Sequence, residues 1–229
     1  MDLYLKLKSK FFLMSQNAIG SKRALTSRLH AKKSTILEGT SLHIIVVTIQ
    51  CMHSCSYCQV SRQQAGDEFT ISRKDLLLAC DTIFESTSDT LTVEFQGGDP
   101  LIKYDLVKLA IEYITEKNKE HNRSIRFVVT TTLHQLTSEM CLFFKEHQVV
   151  LSTSIDGLAD LHNKNRPIAN RDAYERTIEG LELARQELGQ DSVSALMTTT
   201  RKSLNYPSEI VDAYVQLGFK DIFIRGLSD

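Results

Sequence analysis

The chain has 229 residues, 42% of them apolar and 24% charged, and a formal net charge of -1. That length supports one sizeable core and is short for two. The balance lacks the overall basicity of a nucleic-acid binder, and no run approaches the roughly 20 apolar residues of a membrane span.

Residues 1–40 read as a basic segment preceding the core. Lysines and arginines run from Lys6 to Lys33, with acid only at Asp2 before them. A solvated face explains such a run, and so does contact with an acidic partner or RNA. Met1 to Met14 lacks the apolar block and small-residue cleavage site of a secretory signal, so the chain reads as cytoplasmic.

Residues 41–229 read as one core. Six short runs rich in β-branched residues predict strands at 42–49, 91–95, 125–130, 149–154, 192–197 and 221–225. Their apolar character suits parallel strands buried on both faces. Helical periodicity predicts helices at 73–86, capped by Ser72, and at 104–118, 137–146 and 173–187. A further helix at 207–217 opens on Pro207 and stops at Gly218. Strand and helix alternate throughout, which predicts right-handed crossovers and a parallel sheet. Periodicity leaves open whether that sheet is flat or curls into an open barrel. In both cases the functional face lies at the C-terminal ends of the strands.

Three of the five cysteines, Cys51, Cys55 and Cys58, fall within eight residues directly after the first strand. That clustering predicts a metal or cofactor site in a reducing compartment, with no disulfide framework. Soft thiolates suit zinc or an iron–sulfur cluster. A zinc site on Cys51, His53, Cys55 and Cys58 is one solution. The other is a [4Fe–4S] cubane on three cysteines, whose fourth iron stays open for the amino and carboxylate groups of S-adenosylmethionine (SAM). His53 reads as a neighbour of that site or a solvated loop residue. Tyr57 reads as packing beside the cluster and the adenine. Cys80 and Cys141, in apolar helical patterns, read as buried thiols.

The other strand-end loops supply the rest. Gly97 and Gly98 let backbone approach a ligand closely, and with Asp99 they offer acceptors to a ligand ammonium; a plain tight turn is the alternative. Thr130 to Thr132 and Ser154 offer hydroxyls to ribose or carboxylate. Asp156 either orients Arg166 or caps its own turn. Arg166, with Arg171 in reserve, suits the SAM carboxylate, and Arg225 points to the same mouth. No catalytic side chain is assigned.

Cys-x3-Cys-x2-Cys at 51–58, Gly-Gly-Asp-Pro at 97–100 and Ser-Ile-Asp-Gly at 154–157 resemble the radical SAM superfamily. The likeness extends to its SPASM-type, peptide-modifying branch. Glu94-Phe95-Gln96-Gly97-Gly98 and Leu161-His162-Asn163-Lys164-Asn165-Arg166-Pro167 resemble the His-Xaa-Ser system radical SAM maturase. The resemblance implies a partial (β/α)6 TIM-like barrel with cluster ligands at Cys51, Cys55 and Cys58. It implies SAM contacts around Tyr57, Gly97, Gly98, Asp99, Thr132, Ser154 and Arg166 or Arg171. It further implies an electron donor such as flavodoxin or ferredoxin, a companion maturase and a ribosomally made peptide substrate; no membrane or nucleic acid partner is expected. Thr131-Thr132 departs from the usual Thr-Asn, and Asp99 from the usual Glu, one methylene longer. Family members continue into a cysteine-rich tail that holds auxiliary clusters, so the chain reads as a fragment lacking that domain. A small-molecule enzyme, a cofactor-assembly enzyme and a non-catalytic metal-binding module are the competing functions.

Overall fold

The computed structural model describes residues 3–10, 13, 19–37, 39–64 and 66–226. The expected acid at Asp2 and the last three residues of the chain lie outside them. Residues 1–40 with 86–88 make one compact unit, and 41–85 with 89–229 another.

In the first unit the basic segment holds two helices, α1 (Leu3–Ser9) and α2 (Ile19–Leu37). Neither helix was expected. In α2, apolar and charged residues are spread around the axis, so it lacks the stripe on which helix prediction rests.

The second unit alternates strand and helix. In chain order these are β1 (Leu42–Thr48), α3 (Arg73–Ile83), β2 (Thr90–Gly97), α4 (Tyr104–His121), β3 (Ser124–Thr130), α5 (Ser138–Glu146), β4 (Val150–Ser154), α6 (Ala159–Asn165), α7 (Ala173–Leu188), β5 (Val193–Thr198), α8 (Pro207–Gln216) and β6 (Phe223–Arg225). Among the described residues the strands form one sheet in the order β1-β2-β3-β4-β5-β6, each neighbour parallel. A doubly wound sheet reverses its order at a switch point; this one never does. With right-handed crossovers throughout, all covering helices fall on one side. The sheet is the expected TIM-like open (β/α)6 arrangement, with β1 and β6 as its two edges.

The helix-facing side forms the core. Leu91, Val93 and Phe95 of β2, Val129 of β3 and Leu151 of β4 are fully buried. They cluster with Leu76, Cys80 and Ile83 of α3, Val107, Ile111 and Ile114 of α4 and Phe144 of α5. Each such side chain contributes about 1.5–3 kcal/mol by leaving water. Cys80 and Cys141 are buried thiols, as expected. Burial on both strand faces is not found. Along β2 to β4 buried residues alternate with half-buried ones, because the concave face opens on a cavity.

Helix starts follow the sequence. Ser72 caps α3, its hydroxyl accepting from the Asp75 N–H at 3.1 Å. Ser72→Ala is expected to lower stability by about 1 kcal/mol, read as a shifted urea midpoint. α4 runs three residues past the expected end, to Asn122 in the left-handed conformation. α6 was read as loop. It is one of the short helices, has no side-chain cap bond, and among its residues only Leu161 is a large core apolar. No helix among the described residues is long and apolar enough to cross a membrane.

Candidate functional site

The cysteine loop leaves β1 and is held at three points. The Cys51 N–H donates to the Gln63 carbonyl at 2.9 Å, the Ser54 N–H to Pro167 at 2.8 Å, and the Cys58 N–H to Cys55 at 3.2 Å. Arg62 adds a bond to the Ser54 hydroxyl at 2.8 Å. The loop is thereby tied to the segment that follows α6.

Beside it, β2 ends on Gly97 and Gly98. A Cβ at Gly97 would lie 2.1 Å from the Thr48 carbonyl oxygen, and one at Gly98 2.0 Å from that of Gln50. The Gly98 N–H donates to Thr48 and the Asp99 N–H to Gln50, at 2.8 and 2.7 Å. The glycine pair therefore admits the entry to the cysteine loop, not only a ligand. Both glycines also line a cavity of ≈ 250 Å³ at the C-terminal ends of the strands.

That cavity gathers most of the expected residues. Cys51, Cys55, Tyr57 and Cys58 line it with Gly97, Gly98, Thr132, Ser154 and Arg166. Two of the expected residues do not line it. Asp99 is 1% exposed and does not line the cavity. Its carboxylate accepts from the Leu101 and Thr132 N–H groups and from the Thr131 and Thr132 hydroxyls. The short aspartate side chain folds back on local donors. Arg171 is exposed, sits at φ 61° beyond α6, and lies outside the cavity.

Arg166, buried at the end of α6, is held by Tyr57. One guanidinium N–H donates to the Tyr57 oxygen at 3.1 Å, and the Tyr57 hydroxyl donates to Asp156 at 2.8 Å. Asp156 thus orients Arg166 through Tyr57. Burial opposes the guanidinium charge, but Tyr57, Cys55 and Asp156 hold its pKa above the usual value. Burial raises Asp156, with Arg166 and Tyr57 opposing. Burial also raises Cys55, and lifts Cys51 to about 11. The Nε of Arg166 is a buried donor with no partner among the described residues.

His53 is fully buried, not solvated, and packs on His134 at 4.6 Å between ring centroids. Burial and Arg166 push its pKa down to about 2. It does not line the cavity with the cysteines. A tetrahedral zinc would need its thiolates within about 4 Å of one another. Among the described residues no three His, Cys, Asp or Glu groups close on one such ion. Three cysteines lining one cavity with Arg166, whose buried Nε–H lacks a partner among the described residues, fit a larger cluster with an anionic ligand.

Sequence reading missed Glu94, Gln96, Ser152 and Thr198, which line the same cavity. Their signal was alternation. Thr92, Glu94 and Gln96 point one way from β2, while Leu91, Val93 and Phe95 point the other. Arg225, expected at the mouth, does line it, donating to Gln59 at 2.5 Å.

The sequence profile of the Radical SAM superfamily matches residues 45–213. An uncharacterized protein of Methanothermobacter thermautotrophicus is 25% identical over 188 residues, covering 78% of this chain and 65% of its own length. A cysteine-type anaerobic sulfatase-maturating enzyme of Clostridium novyi is 25% identical over 143 residues, covering 59% of this chain and 37% of its own. Among solved structures, native anSMEcpe with bound AdoMet aligns with a TM-score of 0.72 at 18% identity, covering 82% of this chain and 51% of that one. The chain thus spans less than two thirds of these relatives. The superfamily uses a [4Fe–4S] cluster together with SAM. Since the match takes in the cysteine loop, the end of β1 and the whole of β2 to β5, the chain belongs to the radical SAM superfamily.

Proposed function

We propose that the chain holds one [4Fe–4S] cluster on Cys51, Cys55 and Cys58, binds SAM at its open iron, and modifies a ribosomally made peptide with His-Xaa-Ser repeats. Residues 41–229 are the core of that activity, with 1–40 preceding it. The observation that carries the reading is the single cavity shared by the three cysteines, the glycine pair, Ser154 and Arg166.

Held by Cys51, Cys55 and Cys58, a reduced cluster would supply the one electron that reductive cleavage of the SAM carbon–sulfur bond requires. The protein's own work is placement and exclusion of water. Arg166, preset by Tyr57 and Asp156, offers its free Nε–H to the SAM carboxylate. Ser154 offers a hydroxyl from the end of β4. The backbone of Gly97 and Gly98 receives the methionine end, while Asp99 ties that backbone to the Thr131-Thr132 turn. An external one-electron donor such as flavodoxin or ferredoxin, and a companion maturase, complete the system. Likeness to a sulfatase-maturating enzyme supports a peptide substrate, and the Glu94–Gly98 and Leu161–Pro167 stretches support the His-Xaa-Ser assignment.

Anaerobic reconstitution with iron and sulfide, followed by dithionite and SAM, is expected to yield 5'-deoxyadenosine. Cys55→Ala is expected to abolish it. Zinc in place of iron across repeated anaerobic preparations would sink the proposal.

A further inference from the structure

Glu94 is the acidic residue of the cavity wall that the functions above leave without a task. It lies on β2, three residues before Gly97 toward the interior of the sheet, roughly 10 Å along the strand. Its side chain lines the cavity and is half-buried. One oxygen accepts from the Thr130 hydroxyl at 2.6 Å. Among the described residues no lysine, arginine or histidine reaches it within ion-pair distance. Its register partners on either side, Ile44 and Val128, are apolar.

The two cations of the same cavity are engaged elsewhere, Arg166 by Tyr57 and Arg225 by Gln59. A carboxylate on a rigid strand, flanked by apolar residues and bonded by one neutral hydroxyl, keeps most of its acceptor capacity free. Partly desolvated, it favours a ligand that brings positive charge. Ile44, its neighbour on β1, is 51% exposed, and Val46, two residues further along beside Gln96, is 47% exposed, giving an apolar stem a surface to lie on.

We propose that Glu94 anchors a second subsite, at the inner end of the cavity, for a cationic side chain of the molecule that reacts: an ammonium, guanidinium or imidazolium on an apolar stem. This rests on the radical SAM reading, which puts SAM at the level of the cysteine loop and the glycine pair. The Glu94 backbone lies deeper on the wall and its carboxylate reaches up to Thr130, so a reacting partner can be held below the glycine pair while its adjacent carbon faces the SAM end.

The test uses the cluster-reconstituted, SAM-loaded chain and acetylated, amidated pentapeptides Gly-Gly-Xaa-Gly-Gly, with Xaa lysine, arginine, histidine or norleucine, titrated by calorimetry. At least one cationic peptide is expected to bind about tenfold or more tighter than the norleucine peptide. Glu94→Gln, which preserves size and the acceptor for Thr130, is expected to bring that ratio to about one. Glu94→Met, matched to Ile44 and Val128, is the second variant should the first fail to fold. A wild-type ratio of one, or a ratio that survives both substitutions, overturns the subsite. So does a loss of SAM affinity in Glu94→Gln with the peptide ratio unchanged, which reassigns Glu94 to SAM. The SAM assay stands apart: absence of 5'-deoxyadenosine from the wild-type chain overturns the function itself, whatever the peptides do.

Discussion

Gly98→Ala is expected to lower stability by about 3 kcal/mol or more and to reduce the iron and sulfide retained after reconstitution. The new Cβ would stand 2.0 Å from the Gln50 carbonyl oxygen, 2.5 Å from its carbon and 2.7 Å from the Ile49 carbon. All three are backbone atoms, so no rotamer change relieves the clash. The strand ends cannot simply part, because the Gly98 and Asp99 N–H groups donate across that gap to Thr48 and Gln50. Overpacking costs typically 1–3 kcal/mol, and each lost hydrogen bond about 0.5–1.5 kcal/mol more. Because Gln50 directly precedes Cys51, any shift moves the first of the three cysteines proposed to hold the cluster. Gly20→Ala, where a Cβ meets nothing within 4 Å, is the control expected to show no loss. A Gly98→Ala protein with wild-type urea midpoint and iron content would show that the strand ends are free to separate.

The same glycines illustrate what the sequence could and could not convey. Adjacent glycines after a strand announce a close approach, but not what approaches. Here it is the backbone of β1 as well as the cavity. The six strands and the five long helices after the first strand were legible, because each carries a strong period or a β-branched run. The cavity wall was less so. Apolar content identifies a strand without distinguishing its polar alternates, so Glu94, Gln96 and Ser152 do not stand out in the sequence as a face. Arg166 and Arg171 are five residues apart and chemically alike. The short helix α6 ends between β4 and Arg171, and only its geometry separates a guanidinium tied to Tyr57 from one in solvent. His53 illustrates the same limit: a histidine between two cysteines reads as loop, yet tertiary packing has buried it on His134.

Asp99→Asn is expected to destabilise the chain by about 2–4 kcal/mol while changing SAM affinity of the folded protein less than about tenfold. The carboxylate collects four donors from two loops. One oxygen takes the Leu101 N–H at 3.1 Å and the Thr131 hydroxyl at 2.7 Å; the other takes the Thr132 N–H at 3.2 Å and the Thr132 hydroxyl. An asparagine supplies one accepting oxygen and turns an NH2 toward a remaining donor. The Leu101 and Thr132 N–H groups cannot reverse their roles, so at least one buried donor is left facing another. Hydrogen bonds to a charged acceptor contribute about 1.5–3 kcal/mol each, and an unmet buried donor costs about 1–3 kcal/mol. Had Asp99 bound the SAM ammonium directly, the result would invert: SAM affinity would fall steeply and the unfolding midpoint would barely move. Measuring both on one preparation, by urea denaturation and by calorimetric titration with SAM, separates the cases. Asp99→Glu adds a control of its own. The longer side chain must push its carboxylate past the Thr131-Thr132 turn, either into the cavity or against the buried wall. If it reaches the cavity, SAM affinity rises while stability falls, and the aspartate is then a residue that exchanged a ligand contact for a tie between two loops.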